Sequence, residues 1–383
     1  MKPVFIYKAK RTPIGKKNGS LKTFLPETLM SKVLLELLNG VEPTAVDDVI
    51  IANAVGPMGN IARLSWLEAG LPITTSATSI DFQCGGGLKA VEYAYYQIAC
   101  SAHTMVIAGG TESTSLEPSR EYHDNDPRKV KHPHRLTRAQ FAPECLGDVD
   151  MLTGAQNTAL KYDLSRKMMD DYALSSHLKA IEAQSKGIFT PLIVPIQVGD
   201  KTLTSDDSIR PSITSRLLSR AKPLLEPDSR ITAGNACLMH DGAAGLLIGD
   251  ETVQLRYGLK PIARIMGFSS IGCDPNLSPL GPIHAVQKLL EAFTMGYDSI
   301  DMIEINEAFS AKILAFHHAT GYPLSKINTG GGALAYGHPY AASGAIILGH
   351  LIENLSQAGG RFGIAALGVA GGQGISCMIE VLS

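Results

Sequence analysis

The chain has 383 residues, 45% of them hydrophobic and 18% charged, with a formal net charge of −2. Such a length exceeds what one simple core organises, so two or three domains are expected, with the composition of a soluble globular enzyme. Near-neutral charge gives no global field for nucleic acid or an anionic membrane, and no apolar run is long enough to span a bilayer.

The chain opens with an apolar strand over residues 4–9, closed by Lys10-Arg11-Thr12-Pro13-Ile14-Gly15. Lys8 falls too early for a secretory apolar region. A helix is expected over 27–39, a second strand over 48–53 and a helix over 62–69. Cys84 follows in Asp81-Phe82-Gln83-Cys84-Gly85-Gly86-Gly87-Leu88. After it Leu88, Val91, Tyr95 and Ile98 recur at helical spacing. A buried strand over 105–108 then runs into Gly109-Gly110-Thr111-Glu112-Ser113. This alternation predicts a layered α/β unit with a largely parallel sheet.

The composition changes near Pro118. Residues 119–138 are rich in Arg, Lys and His, either as a solvated loop or as a patch for a phosphorylated ligand. Helical patterns without strands follow at 156–162 and 165–186, with Ser165 as N-cap and Gly187 closing the second. The strand pattern returns at 243–248 and 262–266. A helix over 282–293, a strand over 302–306 and a helix over 308–320 follow. Then come Gly330-Gly331-Gly332, Gly337-His338-Pro339, a helix over 344–355, and two strands, 362–367 and 375–382, around Gly371-Gly372-Gln373-Gly374. The second half therefore repeats the first in pattern. Cys84 occupies the Gly-rich turn of one half, and His338 that of the other.

Six cysteines, at 84, 100, 145, 237, 273 and 377, form no CxxC pair. That argues against a zinc cluster or a disulfide framework and fits a reducing cytosol. Cys84 reads either as a buried core residue or as a nucleophile at a helix N-terminus, where the backbone N–H groups and the dipole favour a thiolate. Its three glycines fit a backbone that approaches the sulfur or a bound group closely. His338 reads as a structural histidine or as the base for the thiol proton. Asn306 reads as a helix N-cap, with Glu307 in the first turn, or as an amide donor to a water or oxyanion. The 371–374 turn is a plain hairpin or a source of backbone donors. No turn fits a phosphate loop or a dinucleotide fingerprint.

Together Gln83-Cys84-Gly85-Gly86-Gly87-Leu88, Asn306-Glu307-Ala308-Phe309, Gly337-His338-Pro339 and Gly371-Gly372-Gln373-Gly374 resemble the thiolases. Arg11-Thr12-Pro13-Ile14-Gly15, Ala233-Gly234-Asn235-Ala236 and Asp241-Gly242-Ala243-Ala244 extend the resemblance over nearly the whole chain. It implies two α/β halves in a five-layered αβαβα body: residues 1–116 completed by 240–262, a loop domain over 117–239, and 263–383. It implies acyl-CoA as substrate, no covalently bound cofactor, no metal, no nucleic-acid or membrane partner, and a cytoplasmic homodimer or homotetramer. By resemblance, Cys84 carries the acyl group and His338 takes its proton. Asn306 holds a water. The backbone N–H groups of Cys84 and Ala370 hold the acyl oxyanion, and Cys237 and Ala233 belong to the CoA-binding loop domain. The family's second cysteine, just before the last Gly-rich turn, is replaced by Gly368. The resemblance therefore supports acylation directly, with His338 or a water left to remove the alpha proton. An acyl transfer without carbon–carbon chemistry, and a non-catalytic acyl-CoA-binding subunit, are the competing readings.

Overall fold

The computed structural model describes residues 2–57 and 59–382. In the first half the elements are β1 Val4–Arg11, β2 Gly15–Lys16, α1 Pro26–Leu37, β3 Asp48–Ala52, α2 Ile61–Glu68, β4 Ser76–Ile80, α3 Gly86–Ala99 and β5 Met105–Glu112. Between β5 and the next core strand lie α4 Met151–Lys161, α5 Arg166–Ser185, a ribbon of β6 Ile196–Val198 and β7 Lys201–Leu203, and α6 Ser215–Ser219. Core structure resumes with β8 His240–Gly249 and α7 Glu251–Tyr257. The second half comprises β9 Ala263–Gly272, α8 Gly281–Ala292, β10 Met302–Ile305, α9 Ser310–Thr320, α10 Ala333–Tyr336, α11 Ser343–Ala358, β11 Phe362–Val369 and β12 Gln373–Val381.

The strands line up as β10-β11-β12-β9-β1-β8-β5-β3-β4. β3 runs parallel to β5 and β4, β8 antiparallel to β5, and β1 antiparallel to β8. In the other half β10 runs parallel to β11, β12 antiparallel to β11, and β9 antiparallel to β12. Even the place of β4 has its counterpart, since Ile327 bridges Ile303 in parallel. The halves thus repeat in chain order, spatial order and strand sense. They meet where Val4, Phe5 and Ile6 pair with Ile265, Arg264 and Ala263.

The helices complete the layers. α3 and α11 lie together in the middle, their apolar faces sharing one core with the inner faces of the strands, through Leu88, Val91 and Ile98 on one side and Ile346, Leu348 and Ile352 on the other. α1 and α2 cover the outer face of the first sheet through Val33, Leu34 and Trp66, and α8 and α9 that of the second through Val286, Leu289 and Phe316. This is the five-layered αβαβα arrangement. The central contact is tight because it is made by glycine: a Cβ on Gly344 would stand 2.2 Å from the backbone nitrogen of Leu88.

Two expected features of the α5 region hold. Ser165 caps α5 by accepting from the Met168 N–H at 3.2 Å, and Gly187 ends it with φ +67°. The ribbon β6–β7 departs from the strandless reading. It is short and half exposed, so its pattern is too brief to separate from loop.

Candidate active site

Cys84 lies in a 3-10 turn, Gln83–Gly85, immediately before α3. Gln83 enters this turn with φ +47°, and its N–H donates to Asp81 Oδ1 at 2.7 Å. A non-glycine residue in the left-handed region is held there by its surroundings. What surrounds the turn is the other half. A Cβ on Gly85 would stand 2.6 Å from Val369 Cγ2, and one on Gly87 2.6 Å from the Ala341 carbonyl oxygen. The glycines therefore serve close approach to β11 and to the turn Tyr340–Ala342 that follows His338. Gly86 packs as closely on Ala52, where a Cβ would stand 2.6 Å from the Ala52 Cβ.

His338 is buried in the loop between α10 and α11. Its Nδ1 lies 2.6 Å from Ser343 Oγ, and its Nε2 3.3 Å from Asn306 Nδ2. With Nδ1–H donating to Ser343, the Nε2 lone pair accepts from the Asn306 amide. Burial holds the imidazole well below its usual pKa, reinforced by the charge of Lys312 and by His240. His338 is therefore a neutral ring with a lone pair at Nε2.

Asn306 is not an N-cap. α9 starts at Ser310, and the residue before it, Phe309, makes no side-chain cap. The Asn306 N–H donates to Ala366 O at 3.1 Å, which anchors the residue to the end of β11 and turns its amide toward His338. Glu307 is likewise outside the helix. It is fully buried and accepts from Tyr172 Oη at 2.6 Å, Ser176 Oγ at 2.6 Å and Asn328 Nδ2 at 2.8 Å. α5 thereby grips the loop that carries Asn306.

Cys84 and Ala370 line one cleft of about 130 Å³, with Gln83, Met239, Phe141 and Tyr340. The Tyr340 ring sits edge-on to His338, its centroid 5.4 Å away. Burial pushes the Cys84 thiol up to about 11, with Lys312 opposing and Glu112 and Asp81 reinforcing the rise. This direction is opposite to that expected of a helix start, because desolvation outweighs the few donors of the turn. The thiol needs a base.

Cys237 joins this region through its N–H, which donates to Ala308 O at 2.8 Å. Its thiol is pushed to about 12 by burial and by the neighbouring Cys84. Ala233 lines a different small cavity, with His177, Ser208, Arg210 and His240. A larger cavity of about 890 Å³ is bordered by Arg128, Lys131, His132, His134, Arg135 and Arg138. Thr137 and Arg138 border both this basic cavity and the Cys84 cleft, so the two are neighbours across a shared wall. The Arg/Lys/His-rich segment read from the sequence is thus a loop that forms one wall of a cavity.

Two features escaped the sequence reading. Gly368 has no room for a side chain: its Cβ would stand 2.7 Å from the Ser278 carbonyl oxygen and 3.1 Å from Pro282 Cδ. Lys312, in the first turn of α9, is 1% exposed, and its Nζ has no hydrogen-bond partner. The signal for it was a single cation inside Ser310-Ala311-Lys312-Ile313-Leu314-Ala315-Phe316.

Residues 4–252 match the family described as Thiolase, N-terminal domain, and residues 259–381 that described as Thiolase, C-terminal domain. The chain belongs to the thiolase family, and with it to the acyltransferases. It is 40% identical to a Bacillus subtilis (strain 168) protein named "Putative acetyl-CoA C-acetyltransferase YhfS", over 99% of each chain. The crystal structure of the Bacillus anthracis acetyl-CoA acetyltransferase superposes with a TM-score of 0.93 at 34% identity, over 100% of this chain and 99% of that one. The human mitochondrial 3-ketoacyl-CoA thiolase in complex with CoA superposes with a TM-score of 0.92 at 31% identity, over 100% and 98%. Among the described residues, no helix is long and apolar enough to cross a membrane.

Proposed function

We propose that this protein transfers acyl groups between coenzyme A thioesters through an acyl-thioester on Cys84. It would condense two acyl-CoA molecules, acetyl-CoA first among them, to a 3-oxoacyl-CoA, or cleave that product with free CoA. The observation that carries this reading is the meeting of the Cys84 turn with the His338 loop, where a neutral imidazole offers its lone pair beside the Asn306 amide.

In this reading His338 accepts the Cys84 proton as Sγ attacks the thioester carbonyl. Charge then develops on the carbonyl oxygen. Cys84 and Ala370 both line the cleft, which supports their N–H groups as the fixed donors that would stabilise that charge without reorganisation. The Asn306 amide holds a water, or the second thioester's oxygen, against His338 Nε2. The basic cavity takes the phosphates of CoA, and the shared wall at Thr137 and Arg138 leads the pantetheine arm to Cys84. Cys237 borders that arm's end; Ala233 supports it only indirectly, through the segment that carries Cys237. The loop region over 117–239 is the CoA-binding part, inserted in the chain between the neighbouring strands β5 and β8.

Among the described residues the exposed edge of β4 pairs with no strand beyond β3, which supports self-association as a homodimer or homotetramer. All six cysteines are free, which supports a reducing, cytosolic compartment. Acetoacetyl-CoA and CoA incubated with the protein test the main reading. Loss of the enolate absorbance is expected, and equal loss with Cys84→Ala would sink it. The packed space at Gly368 favours one rival, acyl transfer without carbon–carbon chemistry, which predicts an adduct on Cys84 and no cleavage.

A further inference from the structure

Building a carbon–carbon bond next to a thioester requires removal of an alpha proton, and so a second base. Gly368 supplies no side chain, and the Ser278 carbonyl and Pro282 close the space beside it. His338 has its Nδ1 committed to Ser343 and its Nε2 facing the Asn306 amide. In the reading above His338 already serves the Cys84 proton, so a separate second base is sought elsewhere.

Lys312 is the candidate on geometric grounds. The segment from Asn306 to Lys312 is clamped at three points: Asn306 N–H to Ala366 O, Cys237 N–H to Ala308 O, and Ser310 N–H to Asn235 O at 2.9 Å. One short stretch thus delivers both the Asn306 amide and the Lys312 amine. The same clamp sets Lys312 on the stretch whose Ala308 carbonyl holds the Cys237 N–H and whose Asn306 amide meets His338. No carboxylate pairs with it among the described residues. A buried, unpartnered amine is costly to keep and has no packing rationale that a methionine would not meet better. Desolvation also lowers its pKa to about 8, which leaves a share of neutral amine near neutral pH.

Building on the acyltransferase reading above, we propose that the Lys312 amine accepts the alpha proton in the carbon–carbon step, in place of the absent second cysteine. The amine lone pair takes the proton from the alpha carbon of the second acyl-CoA. The C–H electron pair forms the new bond to the carbonyl carbon of acyl-Cys84. The carbon–sulfur bond breaks, and its pair leaves with Sγ as thiolate. The ammonium then returns the proton to Sγ. The products are the 3-oxoacyl-CoA and the thiol and amine in their starting forms.

The test separates acylation from condensation in the full-length protein with acetyl-CoA and acetoacetyl-CoA. Lys312→Met and Lys312→Ala should still acquire an acetyl group on Cys84, read by intact mass, which also shows that they fold. Condensation and thiolysis should fall by about 10²- to 10⁴-fold. Added methylamine or ethylamine should restore part of that rate in Lys312→Ala, more so with the more basic amine, and none in Lys312→Met. A measurement on the wild type needs no variant: its condensation rate should rise with a midpoint near the Lys312 value of about 8. Condensation by Lys312→Met within a few-fold of wild type, or a wild-type profile flat across that range, would overturn the proposal. A wild type that is acetylated but never condenses overturns it too, and leaves Cys84 acylation standing. A wild type that is never acetylated sinks the underlying reading instead.

Discussion

The Asn306 amide and the His338 imidazole meet at 3.3 Å across 32 residues of sequence. Ser343 fixes the other side of the ring at 2.6 Å. With Nδ1–H donating to Ser343, the lone pair lies on Nε2 and faces the Asn306 amide. His338→Ala should slow acetylation of Cys84 by about 10²- to 10⁴-fold. Ser343→Ala keeps the lone pair but frees the ring, so it should slow the same step less. Quench-flow with intact-mass detection reads both rates.

Glu307 is a buried carboxylate satisfied by Tyr172, Ser176 and Asn328. Each of these is a hydrogen bond to a buried carboxylate. Tyr172→Phe should therefore cost about 1.5–3 kcal/mol of folding stability, read from urea unfolding. Because Glu307 adjoins Asn306, the same variant should also slow turnover, while acyl-CoA binding at the basic cavity stays intact.

Replacing Gly368 by cysteine should not rebuild a second thiol base. Its Cβ would stand 2.7 Å from the Ser278 carbonyl oxygen, which belongs to backbone and must shift as a whole. Such overpacking costs about 1–3 kcal/mol. A lowered melting temperature without gain in thiolysis is the expected outcome for Gly368→Cys.

Lys312 links stability to pH. Its folded-state pKa, lowered to about 8, lies below the unfolded value of 10.5. Below pH 8 both states hold the proton, and the folded state bears the full cost of a buried ammonium. Between pH 8 and 10.5 the folded state has released a proton that the unfolded state still binds, so stability rises with pH. Lys312→Met, which does not titrate, should therefore be more stable than wild type at pH 7. That gap should shrink by about 3 kcal/mol on approaching pH 10.5. Denaturant unfolding of the two proteins across this range checks the sign.

Much of the fold was legible because the apolar strands and helical spacings recur in matching order in the two halves. The alternation around residues 48–53 and 105–108 and its echo at 302–306 and 362–367 became β3, β5, β10 and β11. β4 was not legible, since Ser76-Ala77-Thr78-Ser79-Ile80 is a half-exposed edge with little apolar patterning. Cys84 and His338 stood out by residue type and by position in equivalent turns. Asn306 remained ambiguous, because capping and amide donation call for the same residue before a helix. Only the start of α9 at Ser310 separates the two. The ionisation of Cys84 was misjudged because a helix start shows in sequence and desolvation does not. Lys312 is not legible for a similar reason: its complete burial comes from the tertiary fold and does not show in the chain around it.

Intact-mass analysis of the protein after brief exposure to acetyl-CoA, with peptide mapping of the adduct, tests the central claim most directly. One acetyl group on Cys84, absent from Cys84→Ala and slow to form in His338→Ala, is the expected result. No adduct, or an adduct on Cys237 with Cys84 unmodified, would contradict it.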